Sequence, residues 1–516
     1  RYQEDAGTGT DKQKTAFPRK GADRVMKIVI IGAGIGGLAT ANLLAQDGHD
    51  VHVYEQAKTP GGRAGQFKSK GFTFDTGPSW YLMPDVFDRY FKLVGSSTKD
   101  HLTLKKLSPA YKVYYETHAP ITITGNSKKD AQTFEAIEPG AGVALKKYLA
   151  VSEKLYRLSL GAFLYQNFTA PSEFINRTTL RHGAQMLDMA ITPLHRYIRR
   201  YVRSPRLQQL LEYPAVFLGT SPYKAPALYS LMSALDFTEG VFYPVGTMHS
   251  VVTALHTIGV EKGVHYHFNA PVQSIETADG NVTGITLTDG TTVLADIVVS
   301  NADLHHTETK LLQYADQSYP ETYWQKRQPS PSALLIFLGI KGKIPEFEHH
   351  TLLFVDDWKK NFADIYDNAT APKNASLYIS KTSASDTTAP KGHENIFVLV
   401  PLPAGKHFTK KQTETLAARY LAQIKRTTGV DLAARTVTRR LFSPNDFGTT
   451  YNSWQNSMLG PSHILAQSAF FRTPNKSKRV KNLYYVGAGT VPGVGVPMCL
   501  IGAELVQQRI AKDLRT

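Results

Sequence analysis

The feature that most constrains the fold is a glycine-rich turn near the start of the chain, between a strand pattern and a helix pattern. Residues 27–31 form a short β-branched run, and the sequence GAGIGG follows directly at positions 32–37. A helical pattern over 38–46 and a strand pattern over 51–54 come next, and the latter ends at Glu55. This order makes a βαβ unit of the kind that binds a dinucleotide. The sequence therefore predicts an α/β fold with a Rossmann-type domain.

Each glycine of the turn has a physical role. Gly32 allows the tight turn, Gly34 lets a pyrophosphate approach the backbone, and Gly37 lets helix and strand pack closely. The N-terminus of the helix then offers free N–H groups to the phosphates. Glu55 is placed to accept hydrogen bonds from ribose hydroxyls, and its charge would repel a 2′-phosphate, which argues against NADP. A flavodoxin-like turn without this ligand is the alternative.

Two further stretches extend the pattern. The sequence GGR occupies positions 61–63, just past the second strand, and TGPS occupies positions 76–79. Together with the glycine turn and Glu55, this spacing resembles the extended dinucleotide motif of the FAD-containing amine oxidase and carotenoid desaturase superfamily. The resemblance implies FAD as the cofactor. It also implies that Arg63 lies on the phosphate side and that the segment around Gly77 passes near the flavin.

A second glycine-rich loop lies near the C-terminus. Residues 483–487 have a strand pattern, GAGTVPGVGVP fills positions 487–497, and a helix pattern runs from Met498 to Ala511. The loop closely resembles the C-terminal signature of the phytoene desaturase family. The start of this helix would stabilise the negative N1/O2 edge of a reduced flavin. The cofactor contacts that we predict from motif and resemblance are Gly32, Gly34, Ile35, Gly36, Gly37, Glu55, Gln56, Gly62, Arg63, Gly77, Pro78, Ser79, Val272, Asn301, Gly487, Gly489, Val496, Pro497 and Met498.

The cofactor domain is predicted to be discontinuous. Strand patterns between residues 264 and 303, two of them joined by an Asp289-Gly290 turn, supply its third piece. We expect an FAD-binding domain from residues 26–105, 240–305 and 476–516, a mixed α+β substrate domain from 106–140 and 306–475, and a helical, membrane-associating region from 141–239. Residues 1–25 are polar, and we expect them to be a disordered extension or a cloning remnant.

Composition limits the partners of the chain. The net charge of +16 attracts polyanions, either nucleic acid or an anionic membrane. No nucleic-acid-binding motif accompanies the charge, no secretory signal is visible, and no run of 18 apolar residues could span a bilayer. The single cysteine excludes an internal disulfide, and the 17 histidines show no metal-binding spacing. We therefore expect a cytoplasmic, peripheral membrane protein that binds neither nucleic acid nor metal.

The basic charge is concentrated in residues 177–211. This segment holds seven arginines, opposed only by Asp188, and apolar residues such as Leu187, Ile191 and Ile198 are interleaved with them. A basic helix with aliphatic and aromatic residues is typical of an interfacial membrane helix. The alternative is a solvated helix face over an ordinary core.

The resemblance implies an FAD-dependent desaturase of a linear C30 or C40 carotenoid precursor, diapophytoene or phytoene. Desaturation removes a hydride, which flavin N5 accepts, and a proton. Arg177, Arg181 and Asp188 are candidates for handling the proton, and a quinone in the same membrane is a possible electron acceptor. Carotenoid cis–trans isomerases and carotenoid oxidases of the same fold are alternatives. A flavin amine oxidase and a non-catalytic prenyl-lipid escort protein are alternatives from other classes.

Overall fold

The computed structural model describes residues 25–167, 183 and 186–515, so the predicted N-terminal extension lies outside the described residues except for Val25. The strands are β1 (Lys27–Ile31), β2 (Asp50–Tyr54), β3 (Gln66–Ser69), β4 (Phe72–Asp75), β5 (Leu104–Lys106), β6 (Tyr111–Tyr115), β7 (Ile121–Ile123), β8 (Phe242–Pro244), β9 (His265–His267), β10 (Val272–Ala278), β11 (Asn281–Leu287), β12 (Thr292–Leu294), β13 (Ile297–Ser300), β14 (Ser332–Lys341), β15 (His350–Phe354), β16 (Leu377–Ser380), β17 (His393–Leu402), β18 (Thr436–Phe442) and β19 (Leu483–Tyr485).

The α-helices are α1 (Ile35–Gln46), α2 (Pro84–Leu93), α3 (Thr98–His101), α4 (Ser127–Ile137), α5 (Ala141–Ser159), α6 (Leu194–Ile198), α7 (Pro205–Glu212), α8 (Leu231–Ala234), α9 (His249–Glu261), α10 (Leu304–His306), α11 (Glu321–Trp324), α12 (Trp358–Tyr366), α13 (Lys410–Thr428), α14 (Pro444–Tyr451) and α15 (Val496–Asp513). The first helix therefore begins three residues earlier than the sequence pattern predicts, inside the glycine turn itself.

A parallel sheet with strand order β19-β13-β1-β2-β9 forms the centre of the dinucleotide-binding unit. Ile28 and Ile30 pack with residues of α1, α9 and α15 on one face. Val29 and Ile31 pack on the opposite face with the antiparallel sheet β10–β12. Because both faces are covered, β1 consists of an uninterrupted apolar run after Lys27 rather than an alternating one.

The same sheet explains why distant motifs meet. Parallel strands end at one edge, so the segments that follow β1, β2, β13 and β19 come together there. These segments carry the glycine turn after Ile31, then Glu55, Asn301 and Gly487. Three separate parts of the chain thus supply one binding edge.

A second, mixed sheet has the strand order β18-β14-β17-β16-β15-β6-β7, in which only β15 and β6 run parallel. Its strands come from the two segments, 106–140 and 306–475, that the sequence analysis assigned to the substrate domain. Helix α13 covers one face through Leu416 and Ile424. Leu335 and Leu399 on this sheet line a large cavity.

The region predicted to meet the membrane is helical in part, but much of its apolar surface is internal. Leu194, Ile198 and Val202 are buried in a core cluster, whereas the neighbouring arginines are exposed. This arrangement matches the alternative of a solvated helix face over a core. Leu187 and Ile191 differ, since they are 63% and 65% exposed. Among the described residues, no helix is both long enough and apolar enough to cross a bilayer.

Candidate cofactor site and apolar cavity

One cavity of about 1550 Å³ links the glycine-rich edge of the parallel sheet with the interior beside the mixed sheet. One end is lined by the glycine turn, the GGR segment and the C-terminal glycine–proline loop. The other end is lined mainly by aliphatic and aromatic side chains. The cavity therefore joins a polar, backbone-rich part to an apolar part.

The glycine turn presents the N-terminus of α1 to the cavity. No side chain caps this helix at Gly34, and its first turn contains no acidic residue. The first N–H groups of a helix have no intrahelical acceptor, and here Gly37 donates its N–H to Asn301 Oδ1 over 2.8 Å. The N–H groups of Ile35 and Gly36 are thus left for an anion, which the helix dipole also favours.

Glu55 is held in place by backbone hydrogen bonds. Its Oε2 accepts the N–H of Ala33 at 2.7 Å, and its Oε1 accepts the N–H of Ala57 at 2.8 Å. The side chain is buried but lines the cavity. Each carboxylate oxygen can accept a second hydrogen bond, so Glu55 is preorganised to take hydroxyl donors.

Arg63 brings a cation to the same end of the cavity. Its Nη2 donates to Ser453 Oγ at 2.5 Å and lies 3.6 Å from the carboxylate of Asp303. Its Nε is buried and has no hydrogen-bond partner among the described residues. The side chain is 32% exposed and lines the cavity, so the guanidinium suits the phosphate-side role that the resemblance implies.

A second helix, α15, also points its N-terminus into the cavity. Gly495 precedes it without a side-chain cap, and Pro497 occupies its first turn. The earliest bond of the helix runs from Cys499 N to Gly495 O at 3.0 Å, so the N–H groups of Val496 and Met498 have no intrahelical acceptor. The positive end of the helix dipole would stabilise negative charge beside these residues.

The C-terminal loop is braced by buried residues that the sequence analysis did not identify as functional. Arg472 is 4% exposed and donates through its guanidinium to the carbonyls of Gln467, Ala488 and Thr490. Asn475 Nδ2 donates to the carbonyl of Tyr485, at the end of β19, and to that of Val491, on the same loop. The sequence signal was the stretch LAQSAFFRTPN at 465–475, which the resemblance covers but to which it assigns no role.

The predicted cofactor residues come together. All of them except Gly37 line the cavity: Gly32, Gly34, Ile35, Gly36, Glu55, Gln56, Gly62, Arg63, Gly77, Pro78, Ser79, Val272, Asn301, Gly487, Gly489, Val496, Pro497 and Met498. Gly37 lies behind the turn. A Cβ at Gly37 would stand 2.0 Å from the carbonyl oxygen of Gly32. Asn301 connects the two loops, because its Oδ1 accepts from Gly37 while its Nδ2 donates to Val486 O at 3.1 Å.

The proton-handling candidates are less well placed. Arg177 and Arg181 lie outside the described residues. Asp188 is not part of the cavity lining, and its half-exposed carboxylate pairs with Arg200 Nη1 at 3.1 Å and accepts from Thr192 Oγ1 at 3.0 Å. The hydrogen bond from Arg200 holds the pKa of Asp188 below its ordinary value. The structure gives Asp188 no contact with the cavity.

A buried acid, Asp236, holds two tyrosines in place beside the apolar end of the cavity. Asp236 Oδ2 accepts hydrogen bonds from the hydroxyls of Tyr111 at 2.8 Å and Tyr213 at 2.6 Å, and Tyr213 lines the cavity. Burial raises the pKa of Asp236 to about 7, although the two tyrosine hydrogen bonds oppose this shift. The carboxyl of Asp236 therefore keeps its proton to a higher pH than an exposed aspartate does.

This pKa predicts a pH dependence of stability. The folded protein keeps the Asp236 proton up to about pH 7, whereas the unfolded chain releases it near its ordinary pKa of about 4. Its contribution to stability is thus full below about pH 4 and is lost as the pH rises to about 7. We expect Asp236→Asn to remove this part of the decline in urea-unfolding profiles measured across that window. The exposed Asp279→Asn serves as control, and an unchanged slope in Asp236→Asn would contradict the assignment.

The groups that line the cavity are those that FAD requires. Two helix N-termini without side-chain caps and the guanidinium of Arg63 line one space, and an acid suited to ribose hydroxyls lies beside them. The α1 end suits a pyrophosphate and the α15 end suits the negative edge of a reduced flavin.

Comparison with known proteins agrees with this assignment. Residues 35–511 match the family of flavin-containing amine oxidoreductases. The chain is 39% identical over 488 residues to the carotenoid 3,4-desaturase of Haloarcula japonica, a match that covers 94% of this chain and 98% of that protein. It is 33% identical over 488 residues to the zeta-carotene-forming phytoene desaturase of Myxococcus xanthus, covering 94% and 93% respectively. Putrescine oxidase bound to putrescine has the same fold, with a TM-score of 0.61, 15% identity, and coverage of 95% of this chain and 99% of that one.

The chain therefore belongs to the flavin-containing amine oxidoreductase family, among its carotenoid desaturases. It is an FAD-dependent oxidoreductase, and the predicted family and cofactor are confirmed.

Proposed function

We propose that this protein desaturates a linear C30 or C40 carotenoid precursor, with FAD as the hydride acceptor. The observation that carries the proposal is the continuity of the FAD end of the cavity with a long apolar end. A carotenoid precursor has no polar groups that the protein could bind. It therefore needs a long apolar cavity next to the flavin. Two similar proteins are named as desaturases of carotenoids, which supports the same class of substrate here.

The apolar end is lined mainly by aromatic and aliphatic side chains, and the buried polar atoms without a hydrogen-bond partner that it holds among the described residues include Trp80 Nε1 and the Tyr366 hydroxyl. Two of its tyrosines have their hydroxyls engaged elsewhere: Tyr213 donates to Asp236 and Tyr156 donates to Asp85 at 3.0 Å. Other lining residues are Trp80, Phe217, Leu231, Met232, Leu335, Phe354, Trp358, Phe362 and Leu399. A cationic amine would need an anionic partner, and the acids that line the cavity among the described residues, Glu55 and Asp303, lie at its glycine-rich end, so the lining favours a hydrocarbon over the amine-oxidase alternative.

The protein's contribution to the reaction is positioning and electrostatics. Bound FAD supplies the hydride-accepting chemistry, as cofactors generally do. The N-terminus of α15 would stabilise negative charge on the flavin through the N–H groups of Val496 and Met498. The apolar walls exclude water and align the chain of the substrate by shape. Arg63 and the N-terminus of α1 would hold the phosphates.

We also propose the domain division predicted from the sequence, with the 18 cavity-lining residues named above as FAD contacts. The parallel sheet built from three chain segments supports the discontinuous cofactor domain. The mixed sheet, which joins 106–140 to 306–475, supports the substrate domain.

Product mass tests the proposed function against its alternatives. FAD-loaded protein is incubated without oxygen, with a quinone and liposomes that contain either phytoene or diapophytoene, and the extracted products are analysed by mass spectrometry. We expect each turnover to remove two hydrogens from one of the substrates, and the preferred substrate identifies the chain length. An unchanged mass with altered geometry would indicate an isomerase, and added oxygen after admission of air would indicate an oxidase. Lipid binding without any conversion would indicate an escort protein.

The mouth of the cavity favours docking on a membrane. Four large apolar side chains of the described residues both line the cavity and are exposed: Leu187 at 63%, Leu465 at 42%, Phe470 at 44% and Phe471 at 58%. The two segments that carry them flank residues 227–229, because Ala227 N donates to Thr192 O and Tyr229 OH donates to Ser468 Oγ. We propose that this apolar mouth contacts the bilayer, so that substrate and a quinone acceptor enter from the lipid. The free energy of transferring a carotenoid from lipid to an apolar cavity is small, because both environments are apolar.

We expect the double variant Phe470→Ser/Phe471→Ser to bind anionic vesicles roughly 10- to 100-fold more weakly. Withdrawing two half-exposed phenylalanine rings from lipid costs about 1 kcal/mol each, half the value for a whole side chain. Vesicle co-sedimentation measures the effect. Tyr314→Ser is the matched control, since Tyr314 is 77% exposed and lies away from the cavity lining. Equal losses in both proteins would contradict docking through this mouth.

A further inference from the structure

Three metal-ligating side chains converge on the outer strands of the parallel sheet, outside the FAD site. Strands β2 and β9 pair in parallel with His52 opposite His265, and Asp50 lies two residues before His52 on the same strand face. The Asp50 Oδ1 atom is 3.1 Å from His52 Nε2 and 3.9 Å from His265 Nε2. All three ligand atoms lie within 4.8 Å of one another.

These spacings suit one small ion. Zinc bonds to histidine nitrogen and carboxylate oxygen are about 2.0–2.2 Å long, so the ligand atoms of a tetrahedral site lie about 3.3 Å apart. The imidazole rings of His52 and His265 are nearly parallel, at 22°. The side chain of His265 is 60% exposed and can turn to direct its Nε2 at a shared ion, whereas His52 is 18% exposed and is held.

A fourth residue orients the inner ligand. His52 Nδ1 lies 3.2 Å from His267 Nε2, and the His267 ring stacks on Tyr54 at 4.3 Å between centroids. A proton on His52 Nδ1, donated to His267, leaves the lone pair of His52 Nε2 facing Asp50. A metal-binding histidine is commonly fixed in this way by a partner on its other nitrogen.

We propose that Asp50, His52 and His265 form a Zn²⁺ site, with His267 as a positioning residue and solvent in the fourth position. Two imidazoles and one carboxylate favour zinc over the oxygen-preferring Ca²⁺ and Mg²⁺. None of the three ligands lines the FAD cavity, so the site is independent of the proposed desaturase activity. Its place in the fold indicates a structural role. The ion links β9, the edge strand, to β2, and the His267 carbonyl accepts the N–H of Glu55 at 2.9 Å.

Isothermal titration of ZnCl₂ into tag-free, chelator-washed, FAD-loaded protein tests the proposal. We expect one saturable zinc ion per chain. Asp50→Asn, His52→Gln and His265→Gln should each weaken binding at least about tenfold, and His267→Gln should weaken it to a smaller extent. His118→Gln, which alters an exposed histidine far from the cluster, should bind zinc like the wild type. Absence of saturable binding, or wild-type affinity in Asp50→Asn or in His265→Gln, would overturn the proposal.

A second measurement needs no variant and therefore does not depend on how the variants fold. Diethyl pyrocarbonate modifies accessible histidines, and mass spectrometry locates the adducts. With free Zn²⁺ at about ten times its dissociation constant, we expect His52 and His265 of the wild-type protein to react about tenfold more slowly, while His118 reacts at the same rate with and without zinc. Reaction of His265 at the same rate with and without zinc would refute the site.

Discussion

Gly37→Ala is expected to weaken FAD binding at least about 100-fold, which corresponds to about 3 kcal/mol. The added Cβ would lie 2.0 Å from the carbonyl oxygen of Gly32 and 3.1 Å from Asn301 Oδ1. The first neighbour is backbone in the tight turn, so it cannot move aside without displacing the loop that faces the pyrophosphate. The bound fraction of FAD after gel filtration, and the FAD dissociation constant, measure the loss.

The matched control for this change is Gly161→Ala, because a Cβ at Gly161 meets no atom of the described residues within 4 Å. This control should retain FAD like the wild type. Circular dichroism of both variants separates loss of the cofactor from loss of the fold. An FAD dissociation constant of Gly37→Ala within about twofold of the wild-type value, roughly 0.4 kcal/mol, would contradict this prediction. It would show that the glycine turn accommodates a Cβ at position 37.

Arg472→Met is expected to empty the cofactor site by a different route. The buried guanidinium bonds three carbonyls, two of them, Ala488 and Thr490, on the C-terminal loop. Methionine fills much of the volume but leaves those acceptors without a donor, at about 1–3 kcal/mol for each buried group. The loop that carries Gly487, Gly489 and the start of α15 would then lose its position. We expect most of the FAD to be lost and Arg472→Lys to restore part of it.

The control for Arg472 is Arg327→Met. Arg327 also donates to a carbonyl of the same stretch, that of Ala466 at 3.0 Å, but its bond is exposed to solvent. Water replaces an exposed donor at little cost, so this variant should keep its FAD. Similar FAD losses in the two variants would contradict the bracing role of Arg472.

Local motifs made the cofactor half of the fold predictable. In β1 and the glycine turn, strand, turn and helix are adjacent in the sequence, so their spacing alone indicates a dinucleotide site. The parallel arrangement of strands then places Asn301 and Gly487 at the same edge. The part played by Asn301 could not be predicted in detail, because its hydrogen bond to Gly37 joins residues 264 positions apart. The role of Arg472 could not be predicted for a similar reason. It depends on the burial of the guanidinium against the C-terminal loop, and no local sequence pattern indicates this.

The basic helical region shows where sequence patterns are ambiguous. Apolar residues interleaved with arginines are expected both in an interfacial membrane helix and in a helix with one solvated face and one face packed on the core. The structure buries Leu194 and Ile198, so their apolar side belongs to the core. In this region the exposed apolar side chains include Leu187 and Ile191, and the exposed apolar mouth of the cavity joins Leu187 to the Phe470–Phe471 pair, which is distant in the sequence. The periodicity of a sequence describes one helix or strand, so it cannot predict a surface formed by two segments that are far apart in the sequence.

The central claim, that bound FAD accepts a hydride from a carotenoid precursor inside the apolar cavity, is tested most directly by a single anaerobic turnover. FAD-loaded protein is mixed with phytoene or diapophytoene liposomes, with no quinone or oxygen present, and the visible band of oxidised FAD is followed together with the polyene spectrum. We expect the FAD band to bleach while one new double bond forms per FAD reduced. A polyene product formed while the FAD stays oxidised, or no bleaching with either substrate, would contradict the account.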